Sequence, residues 1–309
     1  MSSGKSSSGL NFGAVVSEFR SEQRLAVLNQ FEARDGTVLR YRHYPSVSST
    51  ALILLHGSAT DSKYLANFAH GLAEAGVATV YTPDMRGHGS FPARRGDIDY
   101  IEQLEDDLAD LIGHIEANVE LARVVVGGHS SGGGFAVRFA GGQYGNLVSA
   151  YLLLAPFLGH NAPTVRGKSG GWVNANVGKI IALSILNKFG VTRFNQTRVL
   201  QFNMPSEYRD GSETLAYSYR LMTGFNPVNF QKELRLIQTP VLLIAGSEDE
   251  AFFADRFEST VRPCIPHAEI DIVKGASHLG LVINNEASAT ACQWIQQLKL
   301  EEGSHAAVF

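Results

Sequence analysis

The segment VVVGGHSSGGGFA, residues 124–136, constrains this chain more than any other. Its β-branched start fits a pleated strand. It then passes at once into five glycines around a histidine and two serines. Glycine weakens regular structure, so this density points to a place where backbone passes close to backbone. Gly128-His129-Ser130-Ser131-Gly132 has the form G-x-S-x-G, after an apolar run and before a helix-like stretch, GGFAVRFAGG. That context is a strand-to-helix elbow, which presents a serine on a strained backbone. The spacing selects Ser130 as nucleophile. Ser131 follows it, and its backbone N–H can help to bind an oxyanion. Shifting the frame to Ser131 loses the first glycine. A phosphate-binding turn is the alternative, but no G-x-G-x-x-G opens the first strand–helix unit and no P-loop Lys-Ser/Thr follows.

The rest of the chain supplies a sheet for that elbow. ALILLHG (51–57), VATVYTPD (77–84), LVSAYLLLAP (147–156) and PVLLIAG (240–246) are short apolar runs, as expected of strands buried on both faces. AEIDIVKG (268–275) is a further strand, and Asp35-Gly36 joins two strand-like runs, 25–33 and 37–44, in a hairpin. Helical stretches lie between the strands, at about 62–76, 97–118 and 284–299. In the second, Ile101, Leu104, Leu108, Leu111, Ile112 and Ile115 recur at helical spacing. This alternation implies an α/β fold, with a mostly parallel twisted sheet and helices on both faces. Residues 158–230 break the rhythm. They are polar, aromatic and glycine-containing, and offer no sheet strand of their own. The expected organisation is a flexible tail over 1–20, a core over 21–157 and 231–302, and an inserted lid over 158–230.

A serine needs a base, and the base needs an orienting carboxylate. On this kind of sheet the chain order is serine, acid, histidine. GSEDEAFF follows the 240–246 strand and offers Glu248, Asp249 and Glu250. KGASHLGL follows the next strand and offers His278. Both loops leave carboxyl ends of strands, where such sheets build their sites. A second oxyanion donor is expected from the loop after the third strand, LLHGSAT. There His56 and Gly57 let the backbone approach and the Ser58 N–H is the candidate, while the Ser58 hydroxyl would cap the following helix. In PDMRGHGSF (83–91), Arg86 and His88 are expected to hydrogen-bond the loops around the elbow, with His129 as a further support.

With 26 basic and 30 acidic residues the formal charge is −4, which makes no case for nucleic acid or an anionic membrane as partner. No apolar run reaches the ~18–20 residues of a membrane span, so no stable membrane insertion is expected. MSSGKSSSG lacks the apolar core and cleavage site of a signal peptide. Cys264 and Cys292 make no disulfide framework and suit a reducing, cytoplasmic location. No HExxH or CxxC is present, so neither metal nor cofactor is expected. A homodimer is left open.

With these residues in view, the chain resembles an α/β-hydrolase over about residues 25–300. It is most similar to the branch of monoacylglycerol lipases, lysophospholipases and serine aminopeptidase-like esterases. The likeness is carried by His56-Gly57-Ser58, Asp84-Met85-Arg86-Gly87-His88-Gly89-Ser90, Gly128-His129-Ser130-Ser131-Gly132-Gly133, Gly246-Ser247-Glu248-Asp249 and Ser277-His278. It implies Ser130 as nucleophile, Asp249 as acid, His278 as base, and Ser58 and Ser131 at the oxyanion hole. It also implies a small-molecule ester as substrate, acyl ester or monoacylglycerol-like, cleaved without a cofactor. Related dehalogenases and epoxide hydrolases place Asp where Ser130 stands. The chain departs from the family at Ser131, where a small apolar residue or Met is usual, and in DEAFF, where D-x-x-V/P is usual.

Within the lid, Trp172, Phe189, Phe194, Phe202, Tyr208, Tyr217 and Tyr219 suit an apolar or aromatic ester. The apolar stretch KIIALSILNKFG lacks a strongly basic polar face, which favours a soluble carboxylesterase over an interfacial lipase. Two alternatives stand beside the esterase. One is a proline-type aminopeptidase, holding the substrate amine by Glu207, Asp210 or Glu213. The other is a ligand receptor that keeps the triad.

Overall fold

A computed structural model describes Leu10, Phe12, residues 25–167 and residues 171–306, with side chains to residue 298. In chain order its strands are β1 (Leu28–Glu32), β2 (Val38–Tyr44), β3 (Thr50–Leu55), β4 (Thr79–Asp84), β5 (Arg123–His129), β6 (Ala150–Leu154), β7 (Val173–Ala175), β8 (Arg198–Phe202), β9 (Ala216–Ser218), β10 (Val241–Gly246) and β11 (Glu269–Val273). The α-helices are α1 (Ala66–Glu74), α2 (Gln103–Asn118), α3 (Ser131–Ala140), α4 (Val177–Lys188), α5 (Tyr219–Gly224), α6 (Phe230–Leu236), α7 (Phe257–Val261) and α8 (Asn285–Ala306).

Eight strands form the main sheet in the order β1-β2-β4-β3-β5-β6-β10-β11. β2 runs antiparallel to both neighbours, and the other pairs are parallel. Every residue of β3, β5, β6 and β10 is buried. Successive side chains of a strand point to opposite faces, so both faces are covered, and this is why these strands are apolar without alternation. The outer strands β1 and β11 are half exposed and more polar. α1 packs on β4 and α8, while α3 packs on β5, β6 and α6. In α2 the residues at helical spacing, Leu104, Leu108, Leu111, Ile112 and Ile115, are all buried.

This order brings β3 beside β5, with Leu55 opposite Gly128. It also brings β10 between β6 and β11. The turns after β3, β5, β10 and β11 therefore leave the same end of the sheet, and they carry Ser58, Ser130, Asp249 and His278.

The segment between β6 and β10 departs from expectation in one respect. Among the described residues it adds no strand to the main sheet, but it holds an antiparallel sheet of its own, β7-β8-β9. These strands have three to five residues; β7 buries none of its side chains, and β8 buries only Val199 and Phe202. Such short, one-sided strands leave no alternation to read in the sequence. Most of the tail expected over 1–20 lies outside the described residues. Phe12 lies within it, is 5% exposed, and stacks its ring on Tyr208 at 5.3 Å and beside Trp172 at 5.4 Å.

Arg86, in the turn after β4, does not reach the elbow loops as expected. Its guanidinium turns the other way, giving Asp107 of α2 two bonds of 2.8 and 2.6 Å. It also bonds Thr37 at 3.0 Å and Asp35 at 3.1 Å in the hairpin turn. Long arginine side chains place their charge several ångströms from the backbone, so loop position alone did not say which way it points. The group is buried, so its partners are needed. Asp107→Ala is expected to lower stability by about 3 kcal/mol, because a buried charge loses its main partner. Chemical denaturation tests this. Arg86→Met with Asp107→Leu should cost less than Asp107→Ala alone, since no uncompensated guanidinium remains.

Candidate active site

The site begins at the elbow. Ser130 has φ 56° and ψ −119°, a left-handed backbone that costs a residue with a side chain about 1–3 kcal/mol. The close passage of neighbouring backbone makes this turn feasible. A Cβ on Gly128 would stand 2.3 Å from the Gly132 carbonyl carbon, and one on Gly132 would stand 2.4 Å from the Leu55 oxygen. Both positions therefore require glycine, which accounts for the glycine-rich stretch around the two serines. The Ser130 backbone is held by its N–H to the Leu154 carbonyl, 2.9 Å, and by its carbonyl, which accepts from Gly134 and Phe157 at 3.0 and 2.9 Å.

The Ser130 hydroxyl lies 3.0 Å from His278 Nε2. His278 Nδ1 lies 2.7 Å from Asp249 Oδ2. Asp249 is 1% exposed, and its other oxygen accepts the Ala251 and Phe252 N–H groups, both at 2.8 Å. The DEAFF loop thus folds its own amides onto the carboxylate, and the Phe252 ring stands edge-on to His278 at 5.0 Å. Glu248 is exposed. Glu250 takes a different place, accepting the His278 backbone N–H at 2.9 Å. From the segment after β6, Arg166 Nε donates to the carbonyls of Asp249 and Phe252, at 3.0 and 2.9 Å, and straps the acid loop.

The loop after β3 lies against the serine. A Cβ on Gly57 would be 3.2 Å from Ser130 Cβ. Along this loop the Gly57 N–H donates to the Tyr64 hydroxyl at 2.6 Å, and the Ala59 N–H to the Tyr217 hydroxyl at 2.8 Å. Between them, the Ser58 N–H makes no hydrogen bond among the described residues, and neither does that of Ser131. The Ser58 hydroxyl does not cap a helix. It accepts the Trp172 indole N–H at 3.1 Å, and Asp61 caps the following turn instead.

Three buried histidines frame this loop, and their partners settle their tautomers. His129 Nε2 faces the His278 carbonyl at 3.0 Å, and a carbonyl only accepts. Nε2 therefore carries the hydrogen, and Nδ1 accepts from Tyr64 at 2.9 Å. His88 Nδ1 likewise donates to the Arg86 carbonyl at 3.1 Å, and its Nε2 accepts from Tyr217 at 2.5 Å. His56 Nε2 accepts the Met85 N–H at 3.0 Å, and Nδ1 donates to the Gly57 carbonyl at 2.8 Å. Burial lowers the pKa of all three below the usual 6.5, and a neighbouring ring adds to this for two of them, His56 beside His88 and His278 beside His129. Tyr64 and Phe252 had no signal in the sequence, since a lone aromatic residue reads as core, and Tyr217 was singled out there only as one of the lid aromatics. No group of three or more His, Cys, Asp or Glu among the described residues is placed to hold a metal ion.

A sheet of this order, with a serine, a histidine and an aspartate in one hydrogen-bonded row at its carboxyl end, defines the α/β-hydrolase fold. Residues 47–282 match the family described as serine aminopeptidase, S33, and the chain belongs to that family. Among curated relatives, the non-heme chloroperoxidase CPO-A1 of Kitasatospora aureofaciens is 25% identical over 265 residues, covering 79% of this chain and 90% of the relative. A soluble variant of monoglyceride lipase from Saccharomyces cerevisiae, in complex with a substrate analog, shares the fold at TM-score 0.64 and 20% identity, over 89% of this chain and 95% of that one. A thermophilic esterase from Thermogutta terrifontis shares it at TM-score 0.60 and 17% identity, over 88% and 99%. No helix among the described residues is long and apolar enough to cross a membrane.

The neutral histidines make stability depend on pH. Their folded pKa values lie below the unfolded value of 6.5, so the unfolded chain binds protons that the fold does not. Their contribution is complete above pH 6.5 and is lost as pH falls below it. Between pH 7.5 and 6.0 these rings therefore lower stability progressively, as the unfolded chain takes up protons that the fold does not. Asp84, Glu105 and Asp107, all raised by burial and the last to about 6 against the pull of Arg86, take up protons in the fold as pH falls and oppose this. A thermal midpoint that falls over this range is expected, and one that rises would mean that the buried carboxyls outweigh the neutral rings.

Proposed function

We propose that this chain is a serine hydrolase that cleaves carboxylic esters through an acyl-enzyme. The reading rests on the row from Ser130 Oγ to His278 Nε2 to Asp249 Oδ2, with separations of 3.0 and 2.7 Å, at a serine held in a left-handed elbow. Ser130 Oγ attacks the carbonyl carbon while its proton passes to His278 Nε2. Asp249 holds the imidazole by Nδ1 and stabilises the imidazolium that forms. The carbonyl oxygen becomes an oxyanion and meets the N–H groups of Ser58 and Ser131, each worth about 3 kcal/mol. Collapse expels the alcohol, which takes the proton from His278. Water then repeats the path on the acyl-enzyme, releasing the acid and restoring Ser130. The chemistry uses no metal or cofactor.

An uncharged ester with an apolar acyl group, of the monoacylglycerol kind, suits the aromatic surroundings. Phe252 stands against His278, Trp172 lies on the Ser58 hydroxyl, and Phe202 and Tyr217 continue the group. Residues 158–230 act in this reading as a lid over the site. The aminopeptidase alternative finds less support. Asp210 is paired with Lys63, and Glu213 accepts the amides of Asp210 and Gly211. The likeness to a chloroperoxidase favours one further acceptor. Hydrogen peroxide attacking the acyl-enzyme in place of water would release a peracid. The free thiols Cys264 and Cys292 fit a cytoplasmic location.

The test is a panel of p-nitrophenyl esters from C2 to C16, with monoacylglycerol and proline p-nitroanilide. Ester turnover is expected, with Ser130→Ala lowering kcat by about a millionfold and Asp249→Asn by about 10⁴. Turnover of the anilide alone would replace the esterase by an aminopeptidase. Labelling of Ser130 by a fluorophosphonate without turnover of any substrate would favour a receptor.

A further inference from the structure

We propose that the segment between β6 and β10 positions the oxyanion loop, and that Tyr217 is its positioning residue for the acyl transfer. The inference rests on the ester-hydrolase reading above. It starts from Ala59, the residue after the proposed donor Ser58. Ala59 has φ 65°, the left-handed region that carries a steric penalty for any residue with a Cβ. It is fully buried, so water cannot satisfy its backbone. Both of its polar groups are held from the inserted segment. Its N–H donates to the Tyr217 hydroxyl at 2.8 Å, and its carbonyl accepts the Thr214 N–H at 2.9 Å. Trp172, also from that segment, donates to the Ser58 hydroxyl at 3.1 Å.

Tyr217 is itself fixed. Its hydroxyl hydrogen goes to His88 Nε2, because His88 Nδ1 is committed to the Arg86 carbonyl. The tyrosine oxygen is therefore left to accept from Ala59. Its ring is buried against Phe202, with centroids 4.7 Å apart. On the other side of Ser58, Tyr64 of the core holds the Gly57 N–H, and its hydroxyl lies beside His129, which bonds the His278 carbonyl. The amide of Ser58 is thus set between two tyrosine clamps. One belongs to the core and leads to the general base, and the other belongs to the inserted segment. Without Tyr217, nothing offsets the left-handed strain of Ala59 at its N–H, and the loop carrying the Ser58 N–H relaxes away from Ser130. The segment is then a working part of the oxyanion site as well as a cover over it.

The consequence is specific to the transition state. An oxyanion forms only there, so a misplaced donor lowers kcat and leaves KM nearly unchanged. Tyr217→Phe keeps the ring and removes the hydroxyl. The experiment compares wild type, Tyr217→Phe and Tyr217→Phe with Ala59→Gly, using p-nitrophenyl acetate turnover, the rate of Ser130 labelling by a fluorophosphonate, and the thermal midpoint. Expected is a fall in kcat of about 10- to 100-fold in Tyr217→Phe, with KM within twofold and a matching fall in labelling rate. Glycine adopts φ near +65° without a Cβ penalty. Adding Ala59→Gly should therefore recover at least about fivefold in kcat, an effect that a merely structural tyrosine does not predict. An unchanged kcat in folded Tyr217→Phe, or a loss that Ala59→Gly leaves untouched, would overturn the proposal while leaving the esterase reading in place. A wild-type chain that neither turns over nor labels would overturn the esterase reading, and the positioning role with it.

Discussion

The left-handed backbone of Ser130, φ 56° and ψ −119°, is the constraint from which the rest of the site follows. A strained residue persists only where its surroundings over-determine it. Here β5 enters from a sheet buried on both faces, α3 leaves at once, and the backbone of Gly128 passes that of Gly132 too closely for a side chain on either. The same packing brings Gly132 onto the end of β3, so the loop bearing Ser58 is drawn against Ser130. The turn and the candidate oxyanion site are one steric arrangement.

Around that arrangement the polar groups form closed chains. Two run alike, each from a loop amide through a tyrosine hydroxyl and a neutral histidine to a backbone carbonyl. A buried imidazole that must accept at one nitrogen and donate at the other serves only while uncharged, and burial keeps it so. Low-dielectric surroundings also strengthen any donor left without an internal partner. The amides of Ser58 and Ser131 are such donors among the described residues. Arg86 lies further out, where it joins the hairpin turn to α2.

Particular residues show why some features were legible in the sequence and others were not. Continuous apolar runs announced β3, β5, β6 and β10, because a strand covered on both faces cannot alternate. G-x-S-x-G announced the elbow, because close backbone approach restricts residue type directly. The choice among Glu248, Asp249 and Glu250 could not be read from adjacent positions. In the fold it depends on orientation: Glu248 points to solvent, Glu250 meets the His278 amide, and Asp249 meets the ring. Arg86 was expected at the elbow and faces away from it. The strands β7, β8 and β9 were too short to carry a period.

By itself the amino-acid sequence determined the α/β class and the glycine-rich strand-to-helix turn at Ser130. These follow from periodicity and turn chemistry, which act over a few residues. Only the tertiary structure decided what surrounds them: that Tyr217, 158 residues from Ala59, bonds its amide, that His129 bonds the His278 carbonyl, and that Arg166 straps the acid loop. The physical reason is that these bonds join distant positions whose approach is set by packing of the whole sheet and its inserted segment. A tyrosine or a histidine carries no local mark of the partner it will meet.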